Sequence, residues 1–291
     1  MYRIAFIINP VSGTANKSGV LKYIGQVFGN MEQYDLDIHT TRDAGDGYEV
    51  AKYYAEEGAH FVVAVGGDGT VNEVARGLIG SKTALGIVPM GSGNGLARHL
   101  QIPLNYKEAI DVIALKKTQP IDAAQLDEHI FFCTAGVGFD ALIGNRFNAS
   151  SKRGLQTYLR VAAKEILGYE PQEYQLTIDG KTIIRTAFLI TFANASQWGN
   201  NVYIAPHAHS SDGLLDVVIW REFPLIVAPW MFSQLLIKTF DKAPYVETFR
   251  GKNITVKRKL PDYVHFDGDS CMMDRELEIK IIPMALKVLL P

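Results

Sequence analysis

The sequence has little cysteine. Cys133 and Cys271 are the only two, far apart and in no metal-binding spacing. A disulfide framework is thereby excluded, and both thiols read as reduced, buried side chains of a cytoplasmic protein. Charge of one sign is also lacking: the formal net charge is -2, with acids and bases spread along the 291 residues. Without a basic block, nucleic acid is not an expected partner. Long apolar runs are absent. The most apolar stretch, Phe223 to Phe240, is broken by Pro224, Pro229, Ser233, Gln234 and Lys238. Its part after Pro229 gives roughly 16 Å of helix, against the about 30 Å of a bilayer core. No transmembrane segment is expected. The opening MYRIAFIINPVSG lacks a basic leader and a small-residue cleavage site, so it reads as a first strand. No Walker sequence G-x-x-x-x-G-K-[ST] occurs, nor any repeat or low-complexity tract.

What is present is a change of rhythm along the chain. Hydrophobic residues make up 47%, enough for a sizeable core, and the length suggests about two domains. Up to residue 122, RIAFIINP, YDLDIHTT, HFVVAVGG and TALGIVPM read as strands. Between and after them SGVLKYIGQVF, GYEVAKYYAEEG, VNEVARGLI and GLARHL read as helices. Continuous apolar strands alternating with helices predict an α/β domain, a three-layer arrangement around a parallel sheet. From 123 to 284 the strand-like runs HIFFCTAGVG, EYQLTIDGKTIIRTAFLITFANA, LLDVVIW, NITVKRK and RELEIKIIP often alternate polar with apolar. Asp179-Gly180 between two such runs is a hairpin signal. Two helical stretches interrupt them, KRGLQTYLRVAAKEILG and the one after Pro229. The expectation is a mostly antiparallel β-sandwich domain. The short boundary, Pro120 to Asp127, predicts halves facing each other across a cleft.

Three loops at expected strand ends are unusually bare: Asn9 to Gly13, Gly66 to Thr70, and Gly91 to Gly95. Glycines let backbone N–H groups approach an anion, and a following helix adds its positive end. Three such loops on one parallel sheet predict a phosphate cradle. Asp68 is the odd member. A carboxylate beside phosphate is repulsive unless a divalent cation lies between them, so the loop suggests a nucleotide with Mg²⁺. A turn or helix-cap role is the competing reading of Asp68.

HFVVAVGGDGTVNEVARGL followed by LGIVPMGSGNGLARHL resembles the diacylglycerol kinase catalytic domain, in particular the soluble bacterial lipid kinases related to diacylglycerol and sphingosine kinases. The resemblance takes in Asn9-Pro10 with Ser12-Gly13, IDAAQL at Asp122, Ala205-Pro206, Ser211 to Leu214, and Phe266-Asp267-Gly268. It implies an ATP- and Mg²⁺-dependent kinase acting on the hydroxyl of a lipid such as diacylglycerol or a sphingoid base. It also implies that 285–291 return to the first domain. ATP would lie among Asn9, Pro10, Ser12, Gly13, Thr41, Gly66, Gly67, Asp68, Gly69, Thr70, Asn72, Glu73, Gly91, Ser92, Gly93 and Asn94. Asp68 and Asp122 would hold the catalytic Mg²⁺, partly through water, and Asp267 would be the general base. A second, structural Mg²⁺ would sit at Asp212 with the backbone of His209 and Leu214. Gly95 and Asp269 depart from many relatives, which leaves the acceptor lipid undetermined.

Competing readings stand beside these. GGDGT also occurs in NAD kinases, although GSGN followed by Leu96-Ala97-Arg98 fits the lipid kinases better. A non-catalytic nucleotide or lipid sensor is the third reading. His207, His209 and Asp212 could instead bind a transition metal, and Asp267 could be a turn residue, since Asp-Gly is a common turn pair. The lipid partner implies peripheral contact with a membrane. The helix after Pro229, with Gln234, Lys238 and Asp241 on one face, could lie on a bilayer with its apolar side down. Lys152, Arg153, Arg160 and Lys257-Arg258-Lys259 could meet anionic headgroups. Core packing and solvated faces are the plainer readings. A homodimer is compatible with the sequence.

Overall fold

The structure is a computed structural model that describes residues 1–12, 17–29, 32–148 and 155–291. Gly13, Lys152 and Arg153 lie outside the described residues. The chain divides into two compact units, Met1–Ile121 with Met284–Pro291, and Asp122–Pro283.

The first unit is an α/β layer structure. Its strands β1 (Tyr2–Ile8), β2 (Tyr34–Thr40), β3 (Phe61–Gly66) and β4 (Ala84–Pro89) run in the order β2-β1-β3-β4. All these pairs are parallel. A fifth strand comes from the far end of the chain, where Lys287 and Val288 pair in parallel with Ala84 and Leu85. Ile4 to Ile8, all of β3 and all of β4 are buried without alternation, which requires cover on both faces. Helices α1 (Lys17–Phe28), α2 (Asp46–Glu56), α3 (Asp68–Leu78), α4 (Gly95–His99) and α5 (Tyr106–Ala114) accompany the sheet. Each longer helix turns one stripe inward: Val20, Ile24 and Phe28 on α1, and Val71, Val74, Ala75 and Leu78 on α3. Helix α5 has no counterpart in the sequence reading. Its N-cap Asn105, whose side chain accepts the Lys107 N–H at 2.9 Å, was the available signal.

The second unit is a mostly antiparallel β-sandwich. Its strands are β5 (Thr118–Leu126, beginning in the first unit), β6 (His129–Phe131), β7 (Thr134–Gly138), β8 (Gln172–Ile178), β9 (Lys181–Ala193), β10 (Leu215–Arg221), β11 (Val246–Gly251), β12 (Asn253–Arg258), β13 (Asp262–Phe266), β14 (Asp269–Met273) and most of β15 (Glu276–Leu289). Strand β9 is the corner. Lys181 to Ala187 pair with β8, whereas Leu189 to Ala193 pair with both β7 and β10. Asp179 and Gly180, both at positive φ, make the two-residue turn that joins β8 to β9. Strand β10 is apolar from Val217 to Trp220 because both its faces are covered there. Val217 and Ile219 enter the sandwich core with Leu176, Phe192 and Val256, while Val218 and Trp220 enter a second core with Phe188 and Phe240. Helices α6 (Phe139–Asn148), α7 (Leu155–Glu165) and α8 (Ala228–Leu236) accompany these strands.

Three expectations from the sequence do not hold in the fold. Helix α8 ends at Leu236, so Lys238 and Asp241 lie beyond it, and Met231 and Leu235 are buried in the second core. Its inner apolar side therefore belongs to the fold. Arg258 is also buried, and its guanidinium donates to the carbonyls of Asp262, Tyr263, Met273 and Asp274. It closes the open ends of neighbouring strands and is unavailable to a headgroup. Cys133 is buried, but Cys271 is only partly so; its thiol lies 3.9 Å from His129 Nε2, and burial raises its pKa.

Candidate active site

The three bare loops follow β1, β3 and β4 and so share the C-terminal edge of the parallel sheet in the first unit. Hydrogen bonds join the first two. The Asn9 side chain donates to Thr70 Oγ1 at 3.0 Å, and its own oxygen accepts the Val11 N–H at 3.0 Å. Ser12 Oγ donates to the Asn9 carbonyl at 3.1 Å, which curls the loop back on itself. Thr41 follows β2 and its N–H donates to the Ile8 carbonyl at 2.9 Å, placing it beside the same edge.

The glycines have steric reasons. A Cβ on Gly66 would lie 2.5 Å from the Thr70 side chain, and one on Gly91 would lie 2.7 Å from the Gly67 Cα. The second and third loops therefore touch backbone to backbone. Pro10, Gly69 and Ser92 are exposed on this edge. Asn72 and Glu73 are on α3, and the Glu73 carboxylate accepts the N–H groups of Gly45 at 3.0 Å and Gly47 at 3.1 Å. Glu73 thus anchors the start of α2.

Asp68 is neither a turn residue nor exposed loop. It opens α3, and its carboxylate crosses to the third loop to accept the N–H groups of Asn94 at 2.8 Å and Gly95 at 2.7 Å. Those amides open the short helix α4, so the carboxylate caps it from another element. A Cβ on Gly93 would come within 2.9 Å of Asp68 Oδ2, so the close approach requires glycine there. Asn94 holds the loop from within, at φ 52°. Its side chain accepts the Gly91 N–H at 2.9 Å and donates to the Gly91 carbonyl at 2.8 Å.

One residue beside this edge was missed in the sequence. Lys17, at the start of α1, donates from Nζ to the Ser12 carbonyl at 2.6 Å and lies 3.1 Å from Ser12 Oγ. Burial lowers its pKa from the ordinary lysine value. No carboxylate among the described residues pairs with it. A cation at a helix N-terminus is unfavourable by itself, which makes its place beside the loop informative.

The other two carboxylates belong to the second unit. Asp122 is 1% exposed, and its Oδ2 accepts the Gly213 N–H at 2.8 Å. Its own N–H donates to the Ser210 carbonyl at 2.6 Å, so Asp122 clamps the 210–213 turn. Asp267 and Gly268 form the two-residue, positive-φ turn between β13 and β14. The Asp267 carboxylate reaches across to accept the N–H groups of Phe132 at 2.7 Å, Cys133 at 2.8 Å and Thr134 at 3.1 Å. Turn residue and aimed carboxylate are therefore the same residue. Two positions earlier, His265 Nε2 lies 2.8 Å from Asp140 Oδ2, a buried pair that fixes the same hairpin against α6.

These donors fit Mg²⁺ only in part. Among the described residues no group of three or more His, Cys, Asp or Glu is arranged to hold a metal. Asp68 uses one hydrogen bond on each oxygen, out of about four acceptor positions on a carboxylate. That suits an ion held mainly by nucleotide phosphates and water, the usual habit of Mg²⁺. The residues expected to hold a structural Mg²⁺ do not fit one. Asp212 Oδ2 is paired with Arg250, whose Nε also lies 3.5 Å from Asp216 Oδ1, and Asp212 Oδ1 accepts the Leu214 N–H at 3.1 Å. The cation at this place is a guanidinium. His209 and His207 do not converge: His209 Nδ1 lies 3.1 Å from Ser211 Oγ, and His207 Nε2 lies 3.5 Å from Asp241.

Comparison with known proteins bears on both units. Residues 3–126 match the diacylglycerol kinase catalytic domain, and residues 133–290 match the YegS C-terminal NAD kinase beta sandwich-like domain. A diacylglycerol kinase of Bacillus subtilis is 33% identical, covering 76% of this chain and 75% of its own. A probable lipid kinase YegS-like of Chromohalobacter salexigens is 30% identical over 94% of this chain and 91% of its own. A crystal structure of a putative diacylglycerol kinase from Bacillus anthracis shares the fold, with a TM-score of 0.82 and 21% identity over 99% of this chain and 95% of that one. An NAD kinase from Archaeoglobus fulgidus shares it more distantly, with a TM-score of 0.55 and 14% identity over 99% of this chain and 93% of that one. With the glycine loops and Asp68 in the first unit and the Asp267 hairpin in the second, the chain belongs to the diacylglycerol kinase family, in the branch that carries the YegS-type C-terminal domain.

Proposed function

We propose that this chain is an ATP- and Mg²⁺-dependent lipid kinase that phosphorylates the hydroxyl of a lipid such as diacylglycerol or a sphingoid base at a membrane surface. The observation that carries this reading is the Asp68 bridge. It binds the GGDGT and GSGN loops into one rigid edge, in a chain whose two domains both match the family.

In this reading Asn9, Thr70, Gly67 and Gly91 set the spacing of the loops, and the first N–H groups of α3 face the phosphates. Lys17 adds a compact positive charge beside Ser12. ATP, when bound, supplies the phosphoryl group, and Mg²⁺ neutralises its phosphate charge. Asp267 takes the proton from the lipid hydroxyl as its oxygen bonds to the γ-phosphorus and the bond to the bridging oxygen breaks. Phe132, Cys133 and Thr134 hold the Asp267 carboxylate in a fixed direction, which is what an oriented base requires.

The test is incubation of the purified protein with labelled ATP and Mg²⁺ and with diacylglycerols, sphingoid bases, cell lipid extract and NAD in separate reactions. A phosphorylated lipid is expected, and mass spectrometry of the extract would name it. Label in NAD alone would move the protein to the NAD kinases. No labelled product, with ATP binding confirmed, would leave a sensor.

A further inference from the structure

We infer that the outer face of the turn Leu225–Val227 and of helix α8 is the surface by which this protein docks on an anionic lipid bilayer. Helix α8 is apolar on both sides. Met231 and Leu235 point into the second core. Outward the helix shows Trp230, Ser233 and Leu236, followed by Ile237 just past its end. Leu236 is 59% exposed, Ile237 61% and Trp230 46%, and Ile226 in the preceding turn is 89% exposed. A helix lying on a soluble core normally turns polar residues to water. The one polar residue in this stripe, Ser233, donates its hydroxyl to the Trp230 carbonyl at 2.6 Å. This face makes almost no demand for water.

Charge selects the occupant. Phe223 to Phe240 contains no acidic residue and one charge, Lys238. Its ammonium lies 4.4 Å from the ring centre of Tyr203, at the margin of the patch. Beyond the segment lie the exposed Glu222 and Lys242, and Asp241, whose carboxylate is 3.5 Å from His207 Nε2. A second copy docking through this face in a two-fold contact would set the patch against itself. Lys238 would then be brought against the same segment of the partner, which has no acid to pair with it. An anionic bilayer offers the complement: an apolar interior for Ile226, Leu236 and Ile237, negative headgroups for the lysines, and an interfacial level for Trp230. The lipid-kinase reading supplies the need for such a surface, since a lipid hydroxyl is presented at a membrane.

The experiment is co-sedimentation of the full chain with vesicles of phosphatidylcholine alone and of phosphatidylcholine mixed with phosphatidylglycerol. Binding is expected to the mixed vesicles and to fall with salt. Ile226→Glu and Ile237→Glu should each lower partitioning at least about tenfold, with the melting temperature unchanged because both side chains are outside the core. Lys238→Glu should weaken binding to the mixed vesicles and leave the residual binding to phosphatidylcholine unaltered. Wild-type protein that ignores both vesicles, or variants that bind as wild type, would overturn the inference. So would a wild-type dimer that Ile237→Glu converts to monomer without change in vesicle binding. Lipid dispersed in detergent separates this surface from the kinase reading. Vesicle binding without phosphorylation of any dispersed lipid supports the surface and removes the kinase; phosphorylation without vesicle binding removes the surface alone.

Discussion

Asp68 Oδ2 accepts the backbone N–H of Asn94 at 2.8 Å, across 26 residues of sequence. The carboxylate singled out as a metal ligand is thus also a structural bridge between two phosphate loops. Asp68→Asn would turn one acceptor into a donor facing the N–H of Asn94 or Gly95. The variant should lose about 1–3 kcal/mol of stability, the cost of an unsatisfied buried donor, together with ATP affinity. Urea denaturation beside ATP titration checks this. Unchanged stability would mean the bridge contributes nothing to the folded state.

Lys17 supplies charge where the sequence has no Walker lysine. Lys17→Met should weaken ATP binding by roughly tenfold, the scale of one hydrogen bond to a charged group, and leave adenosine binding alone. Calorimetric titration with both ligands is the measurement. Equal losses for the two would point to a misfolded loop, and equal retention would remove Lys17 from the phosphates.

Asp267→Asn is expected to abolish turnover while ATP still binds. It should also destabilise the second unit, because three N–H groups converge on the carboxylate it replaces. Activity and melting temperature therefore need to be read on the same sample. Wild-type turnover in a stable Asp267→Asn protein would exclude it as the base.

Arg250→Met would leave Asp212 and Asp216 without their counter-ion. Burial already raises the pKa of Asp216, so the variant should be less stable at neutral pH and recover as the carboxylates protonate. If Arg250 stands where a cation is needed, Mg²⁺ should raise the melting temperature of the variant and leave that of the wild type unmoved. A Mg²⁺ effect of equal size on both proteins would argue for a metal independent of Arg250.

Asp179 gives a pH prediction. Its carboxylate accepts the N–H groups of Asn253 and Lys252, and these bonds lower its pKa below the ordinary aspartate value of 3.8. A group with a depressed native pKa stabilises the fold above its unfolded pKa and loses that contribution as pH falls through the native one. Acid unfolding should therefore be shallower in Asp179→Ala over that window, with no difference in slope near neutrality. Urea midpoints at several pH values would show it, and parallel acid limbs would contradict it.

What was legible in the sequence was what neighbours along the chain decide. Apolar runs such as Phe61 to Gly66 are buried on both faces because nothing polar interrupts them, and Asp179-Gly180 turns the chain because both residues tolerate positive φ. The glycine loops were legible for the same reason, as were the alternating strands of the sandwich. Hairpin β13–β14 carries the same Asp-Gly signal at Asp267-Gly268, yet its strands passed unread because neither shows clean alternation.

Tertiary structure decided the rest. Whether Asp68 capped its own helix or reached another depended on where residue 94 lies. Whether Arg258 was a surface cation or a buried one depended on carbonyls contributed by β13 and by the strand and turn after it. Lys17 gained its meaning from Ser12, and α8 gained an inner side only when Trp220 and Phe240 were packed beneath it. Each is a contact between residues far apart in sequence, fixed by chain closure and side-chain packing, which no local pattern of residue types encodes.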